Sequence, residues 1–179
     1  MVLNKNRKEK SCENLCNLWL KKFSVVLEMK FIVDKMLGKL CKWLRILGYD
    51  ADYFTLSDRR YLVYKSLQEQ RIILTRDNRV SKKKAWGLIF IRDNFVPEQL
   101  KQVVEDLHLE VKEENIFSRC LICNVSLEAV EKEEVQDKVP PYIYQMQQRF
   151  FRCPGCGRVY WQGTHWDRTR EQIIEWIRG

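Results

Sequence analysis

The chain has 179 residues, enough for one domain with a small appendage. With 45% hydrophobic and 31% charged residues it can bury a core, which excludes wholesale disorder. No apolar run approaches the roughly 18–20 residues that a bilayer-crossing helix needs. Lys and Arg number 32 against 24 Asp and Glu, and the resulting +8 suits a polyanionic partner such as nucleic acid, or simply a basic soluble domain.

Residues 1–28 read as a polar extension, with charge over Lys5–Lys10 and a weakly apolar stretch over Leu15–Leu27 interrupted by Lys21 and Lys22. This segment lacks the features of a signal or transit peptide and is expected to be dispensable. From residue 29 to 112 strand and helix patterns alternate. Phe31-Ile32-Val33 forms a short buried strand ending at Asp34. Leu37, Leu40, Cys41, Leu44 and Leu47 then recur at helical spacing, and Gly48 follows as the cap. Ala51–Thr55 is the second strand, and Ser57-Asp58 caps a helix reaching about Gln70. Ile72–Thr75 and Leu88–Ile91 are further strands, and Pro97 opens a helix with Leu100, Val103, Val104 and Leu107 on one face. Strands alternating with helices specify an α/β fold, a parallel sheet flanked by helices.

From residue 115 to 179 cysteine pairs and aromatics replace the alternation, and a terminal helix from about Asp167 to Ile177 places Ile173, Ile174 and Ile177 together. Cys120-Leu-Ile-Cys123 and Cys153-Pro-Gly-Cys156 are two C-x-x-C knuckles, the spacing that converges four thiolates on one tetrahedral ion. Zinc in a structural role fits, because a set of four cysteines has no open coordination position; an iron–sulfur cluster is the alternative. Of the seven cysteines, Cys12, Cys16 and Cys41 stand apart from this set. An odd count without a secretory signal argues for a reducing intracellular compartment, cytoplasmic or nuclear.

No Gly-rich phosphate loop and no nucleophile–histidine pairing occurs in the α/β part. Instead, Asp34 and Asp77 follow strands and Asp58 stands at a helix start. Ligands of open α/β sheets bind outside the carboxyl ends of the strands. Three acids gathered there are an oxygen-only donor set for Mg²⁺ or Mn²⁺. An Asp after a strand is also a common helix cap or turn former.

Residues 31–50 (FIVDKMLGKLCKWLRILGYD), 73–77 (ILTRD), 119–124 (RCLICN) and 150–165 (FFRCPGCGRVYWQGTH), in this order, resemble the Mut-seven C-terminal RNase domain family. The resemblance implies a PIN-like nuclease domain over 29–112 followed by a zinc ribbon. It also implies a metal-dependent ribonuclease with Asp34, Asp58 and Asp77 as catalytic acids. Asp50, in the Gly-Tyr-Asp motif, and Asp93, after the fourth strand, are additional candidate acids.

RNA contacts are expected from cations near these acids: Lys35, Lys39, Lys42 and Arg45 on the first helix, Arg76 and Arg79 around Asp77, and the run Lys82, Lys83, Lys84. The ribbon adds Arg152, Arg158 and His165 among aromatics able to stack bases or to pack the module. The expected activity is hydrolysis of RNA phosphodiesters at an acidic Mg²⁺ or Mn²⁺ site, with the structural zinc ribbon aiding RNA binding. The rival is a non-catalytic RNA- or ribosome-binding zinc-ribbon protein.

Overall fold

The computed structural model describes residues 29–81 and 84–178. The expectations for residues 1–28, Lys82 and Lys83 lie outside the described residues. The chain builds β1 (Lys30–Asp34), a 3-10 turn over Lys35–Leu37, α1 (Gly38–Ile46), β2 (Asp50–Phe54), α2 (Arg59–Glu69), β3 (Ile72–Thr75), α3 (Asn78–Ser81), β4 (Gly87–Phe90) and α4 (Val96–Leu107). The four strands form one parallel sheet in the order β2-β1-β3-β4. The one-turn α3 between Asp77 and β4 is absent from the sequence reading, because four residues carry no legible helical period.

Alternation along the strands sends side chains into two cores. Phe31, Val33 and Leu74 pack with Leu40, Cys41 and Leu44 of α1 and with Leu100 and Val103 of α4. Ile32 and Ile73 face the other way, onto Leu62 of α2 and Val80 of α3. Helices therefore cover both faces, which is why the strands read as continuous apolar runs. Gly48 ends α1 at φ +90°, where an added Cβ would come within 2.5 Å of the Asn115 carbonyl, so glycine is required twice over.

The C-terminal part contains β5 (Glu128–Val130), a 3-10 segment over Lys132–Lys138, α5 (Pro141–Met146), β6 (Phe150–Arg152) and β7 (Val159–Trp161). Its antiparallel sheet runs β5-β6-β7 over a small core of Val135, Val139, Ile143 and Phe150. The terminal helix, α6 (Thr164–Arg178), begins before the expected Asp167 and does not stay with the ribbon. Its Ile173 is buried in the α/β core, and Trp176 packs on Trp43 of α1 with ring centroids 4.5 Å apart. Ile174, expected on the same face, is exposed: it lies about 100° round the helix from Ile173, whereas Trp176 and Ile177 complete the i, i+3, i+4 stripe.

The ribbon is fastened to the α/β part by polar contacts. Arg45 is only 7% exposed. Its Nε donates to Ala51 O at 2.8 Å, and Nη1 donates to Leu121 O and Ile122 O at 2.8 and 3.0 Å. This corrects the expectation that Arg45 contacts RNA with Lys39 and Lys42. Each three-residue step turns about 60° back around a helix, so by the second step the side chain has left the outer face. Asn124 accepts from Ala51 N and donates to Asp50, whose carboxylate also takes both arms of Arg71 at 2.6 and 3.2 Å. These contacts cap the open edge of β2 that a sheet must otherwise protect.

Arg45→Ala should cost about 3 kcal/mol, because it leaves buried carbonyls without a donor; Arg45→Lys should recover little, since one ammonium cannot span these positions. Urea unfolding of both variants measures this. Burial opposes ionisation of Asp50, but the hydrogen bonds from Arg71 and Asn124 outweigh it and hold its pKa below the ordinary carboxylate value. Its stabilising contribution is therefore present above the unfolded pKa of about 3.9 and lost as pH falls through the lower folded value. Asp50→Asn should flatten the acid limb of a stability–pH curve in that window.

Candidate functional site

Two clusters carry chemistry. The first is the cysteine set. Its two knuckles repeat one backbone design: Cys123 N donates to Cys120 Sγ and Cys156 N to Cys153 Sγ, each at 3.4 Å. Asn124 N bonds Cys120 O and Gly157 N bonds Cys153 O, each at 2.9 Å, with Asn124 and Gly157 both left-handed at φ 62° and 70°. The four sulfurs lie within 4.8 Å of one another, and Cys120 and Cys156 are 3.7 Å apart. Tetrahedral Zn–S bonds of about 2.3 Å require sulfurs about 3.8 Å apart, so the set fits Zn²⁺ in donor type and size.

Burial alone would raise the Cys120 thiol, but the Cys123 N–H, the Tyr160 hydroxyl and the Ile122 N–H bring it down to about 6. Cys123 is pushed up to about 12, first by its contact with Cys156 and then by burial and the other sulfurs. A divalent cation removes this mutual penalty and lets all four thiols ionise. The remaining described cysteine, Cys41, is pushed up to about 11, chiefly by burial, and stands apart in the α1 core.

The second cluster lies at the carboxyl ends of β1 and β3. The chain leaves β1 toward β2 on one side while β3 lies on the other, and this is where an open parallel sheet forms its ligand crevice. Val33 pairs with Leu74, so Asp34 and Thr75 follow side by side on the same face. The Thr75 hydroxyl donates to Asp34 Oδ2 at 2.8 Å and accepts from Asp77 N at 3.0 Å, joining the two acids' segments. Asp34 is 8% exposed.

Asp77 is gripped by guanidinium groups. Arg79 donates to its two oxygens at 2.9 and 3.0 Å, and Arg59 Nε donates to Oδ2 at 2.5 Å. Arg79 first, then Arg59, holds this carboxyl well below the usual carboxylate range. The parts that Thr75 and Arg59 play at this edge are not legible in the sequence. The strand-to-Asp motif around residues 73–77 marked the place, but a hydroxyl in an apolar strand reads as core, and Arg59 arrives from a different element.

The other expected acids separate. Asp58 reaches the same edge as the N-cap of α2, its Oδ1 accepting from Arg60 N at 2.8 Å, with its side chain 54% exposed. Asp93 follows β4 and makes a turn, accepting from Phe95 N at 2.7 Å. Asp50 is not at this site: it pairs with Lys30 at the beginning of β1, at the opposite end of the strands from Asp34. Among the described residues, no three carboxylates bring their oxygens together as the four sulfurs are brought together. Lys35, Lys39, Lys42, Lys84 and Arg158 are exposed, and Arg76 is half-buried. Lys35 Nζ bonds Ser57 Oγ at 2.9 Å, tying the β1–α1 and β2–α2 connections together. Arg152 pairs with Glu134 at 3.2 Å. His165 lies in α6, its side chain outside what the structure describes.

Metal analysis of the purified chain should find about one zinc per molecule, without the visible absorption of an iron–sulfur cluster. Chelation, or Cys153→Ser, should lower the melting temperature and abolish the near-ultraviolet signal of the ribbon aromatics.

No curated protein and no solved structure matches the chain. A family model described as Mut7-C RNAse domain matches residues 29–173, spanning the parallel sheet, both knuckles and most of α6. This chain therefore belongs to the Mut7-C RNAse domain family.

Proposed function

We propose that this protein hydrolyses RNA phosphodiester bonds at the carboxyl edge of β1 and β3, with Asp34 and Asp77 at the centre and Asp58 at the rim. Membership of an RNAse domain family supports ribonuclease-type activity on RNA. The observation that carries the finer reading is the Thr75 hydroxyl, bonded between Asp34 and the Asp77 backbone at the sheet's switch point.

The donors at this edge are carboxylate oxygens, which suit Mg²⁺ or Mn²⁺, held by Asp34 and Asp77 with Asp58 beside them. When bound, such an ion lowers the pKa of water and stabilises charge on a phosphodiester. The chain's own groups do the positioning. Thr75 fixes the Asp34 carboxylate by occupying Oδ2 and leaves Oδ1 with no protein hydrogen bond among the described residues. Arg79 and Arg59 keep Asp77 ionised and bring guanidinium donors to the edge where a phosphate would lie. Lys35, immediately after Asp34, adds a further cation. Attack by water on phosphorus with departure of the 3′ oxygen leaves 3′-hydroxyl and 5′-phosphate ends. The zinc ribbon has a structural part in this reading, since four sulfurs complete the ion's coordination.

The arginine grip on Asp77 favours the rival reading, a non-catalytic RNA-binding module in which that carboxylate only orders basic side chains. Cleavage of labelled single-stranded RNA in Mg²⁺ or Mn²⁺ separates the two. Asp34→Asn and Asp77→Asn should each lower the rate at least about 100-fold, whereas Asp50→Asn, at the far end of the strands, should stay near wild type per folded molecule. Equal activity in all four proteins would remove the proposed site, and no cleavage by any, with RNA binding intact, would establish the rival.

A further inference from the structure

A cleft of about 620 Å³ lies beside the proposed catalytic edge, between the outer face of α1, the β4–α4 connection and the first zinc knuckle. We infer that this cleft is a binding track for single-stranded RNA, carrying the strand from the carboxyl edge along α1 to the knuckle. The inference rests on the proposed function for its substrate and adds the place where that substrate is held.

Three observations support an RNA occupant. The first is charge: the lining includes Lys39, Lys42 and the clamped Arg45, and no carboxylate. In a chain with 24 acidic residues, a cleft whose charged lining residues are all cations presents positive potential to a phosphate backbone. The second is the mixture of surfaces. Met36 and Ile122 stand 62% and 57% exposed at its sides, and the Tyr53 ring adds a partly exposed aromatic face. Cations alternating with a ring and apolar side chains suit unpaired bases, whose faces are open for stacking, whereas a duplex hides them.

The third is continuity with the catalytic edge. Met36 is two residues from Asp34, and the Tyr53 hydroxyl donates to Lys35 O at 2.8 Å, so the cleft's ring is pinned to the connection that follows the β1 acid. On the other side Asn94 follows Asp93. Gly38 allows this arrangement, because a Cβ there would sit 3.1 Å from the Tyr53 hydroxyl. The far wall, Leu121 and Ile122, is the chain between two sulfur ligands, and Arg45 holds both of its carbonyls. The zinc knuckle thus builds one side of the cleft.

The test is binding of a fluorescently labelled single-stranded RNA, followed by anisotropy without added Mg²⁺ or Mn²⁺, so that it reads affinity whether or not the chain cleaves. Lys39→Glu/Lys42→Glu should weaken binding at least about tenfold and make the dependence of log Kd on log salt shallower by about 1.4, the value for two lost phosphate contacts on a single strand. Ile122→Asp should weaken it in the same direction. Lys112→Glu/Lys138→Glu makes the same change in net charge at exposed positions outside the cleft and should shift Kd less than threefold. Thermal melting of each variant confirms folding. An equal loss in the two lysine pairs, or an unchanged Kd in the cleft variants, overturns the inference; unchanged RNA affinity would leave this face to a protein partner. The two readings fail separately. Cleft-dependent binding without any cleavage sinks only the nuclease proposal, and cleavage with cleft-independent binding sinks only this one.

Discussion

Arg45 is the constraint on which the rest of the arrangement depends. Its guanidinium leaves α1, satisfies Ala51 O on the outer edge of β2, and reaches two carbonyls inside the first cysteine knuckle. A planar fork of five donors spans three acceptors in two units at once, which no apolar contact could do with the same directional control. The bond that Ala51 N donates to Asn124 Oδ1 completes the engagement of that residue's backbone. One pair of side chains therefore covers an edge strand, orients the ribbon and sets the wall of the cleft beside α1.

The reverse dependence also holds. Asn124 reaches β2 only because it occupies the left-handed position that closes the knuckle, where Gly157 stands in the second. Glycine would make that turn at less conformational cost but could not dock it. The turn that closes the knuckle and its docking to β2 thus share one residue. The core around Val135 and Phe150 is small, and the polar seam to β2 adds directional contacts between the ribbon and the sheet.

The carboxyl edge shows a similar economy of parts. Parallel register places Asp34 and Thr75 shoulder to shoulder, and one hydroxyl orders the β1 acid and the turn leading to Asp77. Arg59 and Arg79 converge on Asp77 at this edge and hold its carboxyl well below the usual carboxylate range. Arg71 at the opposite end of the strands is engaged with Asp50, Glu69 and the Phe31 carbonyl. Net charge alone does not distinguish these two kinds of arginine.

Local patterns determined a great deal. Apolar runs of β length alternating with 3.6-residue periods require a parallel sheet covered on both faces, because each run must bury both sides. C-x-x-C pairs bring thiols together by the geometry of a short turn, and Gly48 marked the end of α1. These features follow from neighbours in the chain. What only the tertiary structure decided depends on register and on residues far apart. Asp50 resembled a further member of the acidic set until strand pairing placed it at the other end of the sheet from Asp34. Arg45 had the spacing of a phosphate-binding cation, yet the ribbon returns over that part of α1 and buries it. Thr75 looked like core, and α6, contiguous with the ribbon, belongs by packing to the α/β body. Periodicity reports which face of an element is apolar; which distant segment covers that face, and which end of a sheet a residue occupies, are decided only when the chain closes on itself.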